Sequence, residues 1–190
     1  MPLTIFRDSY DDLPQLVTPR LRLRPLRLDD SADVFAIFND PAVTRHYDLS
    51  TFDDEEEAAE LIDYIMDSYE AERQIRWGIV KQDEDRVIGT CGFVMLYQHR
   101  GEIGYDLAAA YWRQGIMREA LGAVIDYGFE TLLLNRIEAM VMPQNVASAA
   151  LLRSLGFQQE GVLRQYDYFK DAHQDLVSFS LLRQEYYDPA

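Results

Sequence analysis

The sequence predicts an α/β fold built on a mixed sheet, and three observations carry that expectation. Strand-like segments stand before and after each helix-like one, the pattern of helices packed on a sheet. Three consecutive strand patterns in the middle of the chain are joined by short polar turns, as in an antiparallel meander. Two longer segments repeat apolar residues at three- and four-residue steps, as amphipathic helices do. The 190 residues carry no internal repeat and no Gly/Ser/Pro linker, so one domain over residues 1–190 is expected, large enough to bury a substantial core.

The elements follow in order. "RLRLRPLRL" (Arg20 to Leu28) alternates Leu with Arg, which predicts a strand with one wet face, and Pro25 points to an edge position or a bulge. "DDSADVFAIFND" places Val34, Ile37 and Phe38 on one helical face and ends at Asn39-Asp40-Pro41. "FDDEEEAAELIDYIMDSYEAER" is the first long amphipathic helix, with Ala58, Leu61, Ile62, Ile65, Met66 and Tyr69 at helical spacing. Its acidic front complements the positive end of a helix dipole and reads as a solvated helix start. "IRWGIV", "RVIGTCGFVML" and "GEIGYDLA" form the meander, joined by "QDED" and "YQHRG". Gly89 and Gly92 inside the middle strand mark bulges or a close approach by another backbone, and Cys91 between them reads as a buried, inert thiol. From Gly115 to about Leu133 the apolar spacing is helical again. "RIEAMVM" then reads as a strand, "NVASAALLRSL" as a short helix ended by Gly156, and "LVSFSLLRQEY" as the last strand.

Composition excludes several function classes. A formal charge of −15 argues against general nucleic-acid binding, which depends on many Lys/Arg contacts to phosphate, and against adsorption to anionic lipid. It is compatible with a cationic acceptor such as an amine. The single cysteine rules out an intrachain disulfide, and His46, His99 and His173 lack a metal-ligand spacing, so no metal is expected. "MPLTIFRDSYDDLP" has no signal-peptide pattern and no apolar run approaches membrane-spanning length, so the expected location is the cytoplasm.

The segment with chemical content is "YWRQGIMREAL", Tyr111 to Leu121, where a turn with one glycine opens the second long helix. A helix start exposes several N–H groups and partial positive charge, and Gly115 lets a ligand approach the backbone. Arg113 and Arg118 add charge and Gln114 a polar contact, so the turn is a candidate phosphate or pyrophosphate cradle. Neither the Walker pattern G-x-x-x-x-G-K-[ST] nor the dinucleotide pattern G-x-G-x-x-G is present.

"WRQGIM" resembles the acyl-CoA pyrophosphate loop of the GNAT N-acetyltransferase superfamily, [Q/R]-x-x-G-x-[G/A], with Trp112 and Met117 departing from it. Three further segments agree in the family's order. "TPRLRLRPLRLDD" and "GEIGYDL" are similar to its first and fourth strands, and "NVASAALLRSLGFQQEGVLR" resembles its final motif. "YW" and the first-strand pattern resemble the subgroup of ribosomal-protein (serine/alanine) N-terminal acetyltransferases. The likeness spans roughly Leu16 to Glu185, the expected core at about 16–185.

The resemblance implies a mostly antiparallel central sheet flanked by helices, with the fourth and fifth strands splayed. It implies acetyl-CoA as cosubstrate, no metal, and a primary amine as acceptor, either a protein N-terminal α-amine or a small molecule. Backbone groups of Tyr105 and Leu107 would hold the pantetheine arm, and the amides of Arg113, Gln114, Gly115, Ile116, Met117 and Arg118 the pyrophosphate. Glu102 matches a general-base position. Asn145 has helix-cap spacing and would also lie near the pantetheine, with Ser148 at the leaving sulfur. The tyrosine acid common in the family is Leu152 here, which leaves Ser148, a water, Tyr166 or Tyr168 to replace it. His46, Tyr47 and Asp48 are candidates to line an acceptor cleft. A homodimer is compatible with the resemblance. The alternative is a non-catalytic acyl-CoA sensor on the same fold.

Overall fold

The computed structural model describes residues 9–188; the start of the N-terminal segment, read above as lacking a leader pattern, lies outside them. Leu16–Val17 (β1) and Leu21–Arg24 (β2) open the sheet, followed by Ser31–Phe38 (α1), Pro41–Thr44 (α2) and Glu55–Glu70 (α3). Ile75–Lys81 (β3), Gly89–Tyr97 (β4) and Arg100–Leu107 (β5) form the expected antiparallel meander. Ile116–Glu130 (α4), Arg136–Val141 (β6), Val146–Ser154 (α5), Gln158–Phe169 (β7), Ala172–Leu182 (β8) and Arg183–Tyr187 (α6) complete the chain. The strand order is β1-β2-β3-β4-β5-β6-β8-β7, and β5 with β6 is the parallel pair in an otherwise antiparallel sheet.

Local chemistry explains the helix starts. Asp54 caps α3 by accepting from the Glu57 N–H at 3.2 Å, and Glu57 returns the bond to the Asp53 and Asp54 N–H groups. Such a capping box stabilises a helix by about 1 kcal/mol, so the acidic run is a helix start. Asp40 caps α2 ahead of Pro41, where the missing proline N–H loses nothing.

The two faces of the sheet are covered differently. Trp77, fully buried, meets Tyr127 of α4 edge-on at 5.3 Å, so α4 packs on the Trp77 face. Side chains alternate along a strand, which turns the neighbouring Arg76 to the other face, toward Tyr47 and the α3 side. The glycines of β4 answer a close approach: a Cβ on Gly92 would stand 2.1 Å from the Ile75 carbonyl oxygen, and one on Gly89 2.4 Å from that of Asp106. The irregularity of β4 lies elsewhere, between Phe93 and Met95, where Val94 is the extra residue of a β-bulge.

β5 and β6 pair only from Arg100 to Glu102 against Arg136 to Glu138, and no residue from Ile103 to Leu107 has a β6 partner. These are the strands counted fourth and fifth in the family pattern, and their pairing stops halfway.

Two expectations need correction, and one strand was not expected at all. The first strand ends at Arg24, and that arginine is 1% exposed instead of facing water. Its guanidinium forks onto Asp30 at 2.7 and 2.8 Å, which satisfies a charge that burial would otherwise make costly. The last strand stops at Leu182, and Arg183–Tyr187 turns into α6. β7 carries no strand signal in the sequence because it is an edge strand, largely exposed and broken by two register shifts.

Candidate active site

Where β5 and β6 part, a cleft of about 420 Å³ opens through the sheet, of a size that holds small ligands. His46, Tyr47 and Asp48 line it, as the sequence suggested, together with Leu61 and Tyr64 of α3. Asp167 and Phe169, from the far end of β7, reach it too, and Lys170 at that hairpin's tip donates to the Thr44 carbonyl at 2.5 Å. The β7–β8 hairpin is thereby tied to the end of α2.

Glu102 sits at the fork itself, the last β5 residue paired with β6. Burial first, and then the charge of Glu138, push its carboxyl above the usual carboxylate range, while Arg100 pulls the other way. Arg100 is not its ion-pair partner: the Arg100 Nε lies 3.2 Å from Glu138, which also takes the Arg136 Nε at 2.8 Å. Among the described residues no hydrogen bond ties down the Glu102 carboxylate. A half-buried carboxylate left free beside a cleft, with its proton affinity raised, suits proton transfer to and from a bound ligand.

The opposite wall carries hydroxyls. The Tyr105 hydroxyl and Ser148 Oγ share a hydrogen bond of 2.7 Å. Asn145 Oδ1 accepts from the Ser148 N–H at 3.1 Å, so the expected cap of α5 is present and fixes Ser148 at the cleft. Burial pushes the Tyr105 phenol up to about 12, against the smaller effect of the Ser148 bond, so near pH 7 it keeps its proton and can donate it. Leu152 is fully buried. Tyr166 and Tyr168 stand 58% and 60% exposed on β7, outside the cleft lining. The hydroxyls that the fold brings together are therefore Tyr105 and Ser148, and Tyr166 and Tyr168 drop out as replacements for the missing tyrosine.

The turn before α4 is held from outside. Gly115 caps the helix at φ 74°, a left-handed conformation that glycine adopts without strain, and Arg113 is left-handed as well at φ 61°. Among the described residues the N–H groups of Ile116, Met117 and Arg118 have no acceptor, and the first bond into the helix runs from Glu119 N to Gly115 O. Arg20 and Thr18 grip this corner: Arg20 donates to Glu119 at 2.5 and 2.8 Å and to the Gln114 carbonyl at 3.0 Å, and Thr18 donates to Glu119 at 2.6 Å. Met117 departs from a small residue, yet its side chain is buried and leaves the turn's outer surface clear. The Gln114 amide donates to Ala110 O and Arg118 to Ser154 O, so both side chains brace the corner. The Leu107 carbonyl accepts from Trp112 Nε1 at 2.7 Å. Three free N–H groups, a glycine and nearby arginines fit a pyrophosphate, and the unpaired run of β5 fits an extended amide-bearing arm.

Sequence reasoning missed one cluster. Arg76, 8% exposed at its side chain, donates through Nη2 to Asp106 and the Tyr47 hydroxyl and through Nε to Thr90, each at 2.7 Å. Thr90 returns two bonds to Asp106, at 2.6 Å from its hydroxyl and 3.0 Å from its N–H. Gln74, two residues earlier on the same face, also lines the cleft. The available signal was a lone arginine in the apolar run "IRWGIV", which a buried strand tolerates only with a charged partner.

Comparison with known proteins places this geometry. The pattern described as "Acetyltransferase (GNAT) domain" matches residues 20–158. An uncharacterized N-acetyltransferase, p20, of Bacillus licheniformis is 44% identical over 173 residues, covering 90% of this chain and 97% of that one. The ribosomal protein uS5-alanine N-acetyltransferase of Escherichia coli is 36% identical over 93 residues, 47% of this chain and 48% of that enzyme. Among solved structures, a probable acetyltransferase of the GNAT family from Chromobacterium violaceum superposes with a TM-score of 0.84 at 26% identity, covering 98% of this chain and 96% of that one.

Proposed function

The chain belongs to the GNAT acetyltransferases and is an N-acetyltransferase; from that premise we propose that it moves an acetyl group from acetyl-CoA to a primary amine. The observation that carries the proposal is the cleft at the fork of β5 and β6, with a free, proton-avid carboxylate on one wall and a hydroxyl pair on the other.

Acetyl-CoA, when bound, supplies a thioester whose acyl carbon accepts the amine. The residues around it have separate tasks. The amides of Ile116, Met117 and Arg118, with Gly115 and the nearby Arg113, hold the pyrophosphate at the α4 N-terminus. Tyr105 and Leu107, on the unpaired run of β5, offer backbone groups to the pantetheine arm, Leu107 through its N–H because its carbonyl already accepts from Trp112. Glu102 takes the ammonium proton, directly or through a water, because an alkylammonium titrates near pH ~10 and is unreactive while charged. Tyr105 and Ser148 hold a proton for the departing sulfur, the role that a tyrosine at the Leu152 position would otherwise fill. Asn145 fixes Ser148. The sensor alternative loses its main support, since hydroxyls stand in the cleft despite Leu152 and the relatives are N-acetyltransferases.

The test is free-thiol release from acetyl-CoA over a panel of peptides, polyamines and aminoglycosides, with Glu102→Gln in parallel. The variant is expected to lose about a hundred-fold in kcat/KM, within the range of general-base catalysis. In the wild type, activity should rise with pH through a value above the ordinary carboxylate range, because the base works only when deprotonated and its proton affinity is raised. In the variant that limb should vanish, leaving the amine's own. A raised folded-state pKa also means that Glu102 lends stability below its unfolded value and loses it as pH rises, so the variant should not be less stable at pH 7. An unchanged acid limb in Glu102→Gln would remove Glu102 from the mechanism.

A further inference from the structure

Two donors at the cleft have no partner among the described residues. Gln74 is 4% exposed, and its Nε2 is buried with no hydrogen-bond partner among the described residues. Arg76 spends Nε and Nη2 on Thr90, Asp106 and Tyr47, while no described residue accepts from Nη1. Buried donors normally find partners, so the Gln74 amide calls for an explanation. Arg76 Nη1, on the same face, is reached by solvent and stands open to a ligand in the cleft.

Their surroundings keep them available. Arg76 pairs across the sheet with Gly92, and Gly92 with Gly104, so that row carries no side chain from β4 or β5, and the Val94 side chain beside it reaches over Gly104. Nη1 lies 3.5 Å from where a Cβ on Gly104 would stand, which puts it over a residue that lines the cleft. Glu102, two residues before Gly104, faces the same side of the sheet. The carboxamide of Gln74 lines the cleft and has nearly isosteric ends, so a half-turn exchanges its buried N–H with its carbonyl and brings the N–H to the cleft, where a ligand oxygen can accept it. The base for the amine and a pair of N–H donors thus share one wall.

Charge narrows the ligand. Asp106 at 2.7 Å neutralises Arg76, so the donors carry little net positive charge. Asp48, Glu102 and Asp167 make the cleft acidic, which favours an ammonium and disfavours a free carboxylate. A neutral oxygen, such as an amide carbonyl, meets both conditions.

We propose that Gln74 and Arg76 form an oxygen-reading subsite that selects acceptors bearing a neutral carbonyl beside the amine, over plain alkylamines and over free amino acids. This rests on the acetyl-transfer reading above and names the acceptor class for the same cleft.

The experiment compares glycinamide, glycine and ethylamine as acceptors, for the wild type, Gln74→Leu and Arg76→Lys. Dividing each variant by the wild type on the same amine cancels that amine's own basicity. The glycinamide-to-ethylamine ratio of kcat/KM should fall about ten-fold in Gln74→Leu, the scale of one hydrogen bond. Arg76→Lys, which keeps a charge beside Asp106 but loses the planar fork, should lower the ratio in the same direction. Calorimetric binding to the protein saturated with CoA should rank glycinamide above both other amines. Gln74→Leu removes a buried unpaired amide, so its thermal stability should not drop, which separates selectivity from damage. Equal losses on glycinamide and ethylamine, or a wild type that prefers glycine or ethylamine, would overturn the subsite. Absence of thiol release with every amine tested would instead overturn the transfer reading on which it stands, and the subsite with it.

Discussion

The two walls of the cleft treat their polar groups in opposite ways. On the α4 and α5 side, Tyr105 and Ser148 satisfy one another, Asn145 caps the helix that carries Ser148, and Arg20, Thr18 and Glu119 lock the corner before α4. The donors left open there are backbone N–H groups, whose positions the fold sets. On the α3 side, Arg76, Asp106 and Thr90 form a closed network only at its root, while Arg76 Nη1 and Glu102 stand at the cleft, and Gln74 Nε2 beneath it, without partners among the described residues. A ligand common to a whole family can be held by backbone and a fixed corner. A ligand that varies has to be met by side chains, and those side chains have to be left unsatisfied until it arrives. On the proposed reading, the first wall is scaffold and the second is specificity.

The strongest way to break that contrast is to remove the root of the second network. In Asp106→Ala the Arg76 guanidinium stays buried without its carboxylate, which costs about 3–5 kcal/mol. Asn145→Ala on the first wall removes a helix cap and costs about 1 kcal/mol. Urea denaturation of the two variants should therefore separate them by a few-fold in stability loss. If Asp106→Ala is no worse than Asn145→Ala, then Arg76 is solvated and the buried network does not hold the acceptor wall.

The second test is directed at the corner. Gly115 adopts φ 74°, where a side chain costs about 1–2 kcal/mol, more if it is β-branched. Its Cβ would also stand 3.4 Å from Arg20 Nη2, within the clamp. Gly115→Val should weaken acetyl-CoA binding by about ten-fold, since roughly 1.4 kcal/mol corresponds to a factor of ten. Calorimetry with CoA alone, free of any acceptor, reads this directly. Undiminished affinity would mean that the turn is ordinary packing and the pyrophosphate lies elsewhere.

What could be read ahead of the structure follows the same division. The corner was legible because its signals are local: a glycine, two arginines and a helix start lie within a few residues, and Asn145 with Ser148 is a cap by spacing alone. Glu102 was legible as a position on a strand, but its freedom was not, because Arg100 turns out to serve Glu138. The acceptor wall was mostly illegible. Arg76 meets Asp106 across 30 positions, and Tyr105 meets Ser148 across 43, so neither pair leaves a mark in any short window. Arg24 shows the same limit: alternation predicts a wet face, yet Asp30 lets that arginine sit in the core. β7 was lost for the opposite reason, since an exposed edge strand has no apolar face to alternate. Periodicity reports burial, and it is silent where burial is absent or where a buried charge is satisfied from afar.

The smallest effect is also the most discriminating, because it asks whether the hydroxyl pair is scaffold or chemistry. If Tyr105 and Ser148 only brace α5, then Tyr105→Phe and Ser148→Ala each remove one neutral hydrogen bond, about 1 kcal/mol of stability, and leave kcat alone. If the pair holds a proton for the leaving sulfur, each variant should lower kcat several-fold while KM for the amine holds. The double variant should then be scarcely slower than the slower single, since both act on one proton. A thioester with a more acidic leaving thiol needs less help, so the deficit should shrink when such an acyl donor replaces acetyl-CoA. Rates that fall in step with stability, or that ignore the leaving group, would assign the pair to the scaffold and leave the sulfur to water. Burial holds the phenol at about 12, so Tyr105 keeps its proton across the working pH range and, with Ser148, donates a hydrogen bond to the developing thiolate. Because a thiol (about 8.5) is the stronger acid, the proton that the sulfur finally takes comes from solvent water, and the pair's contribution is the several-fold effect on kcat.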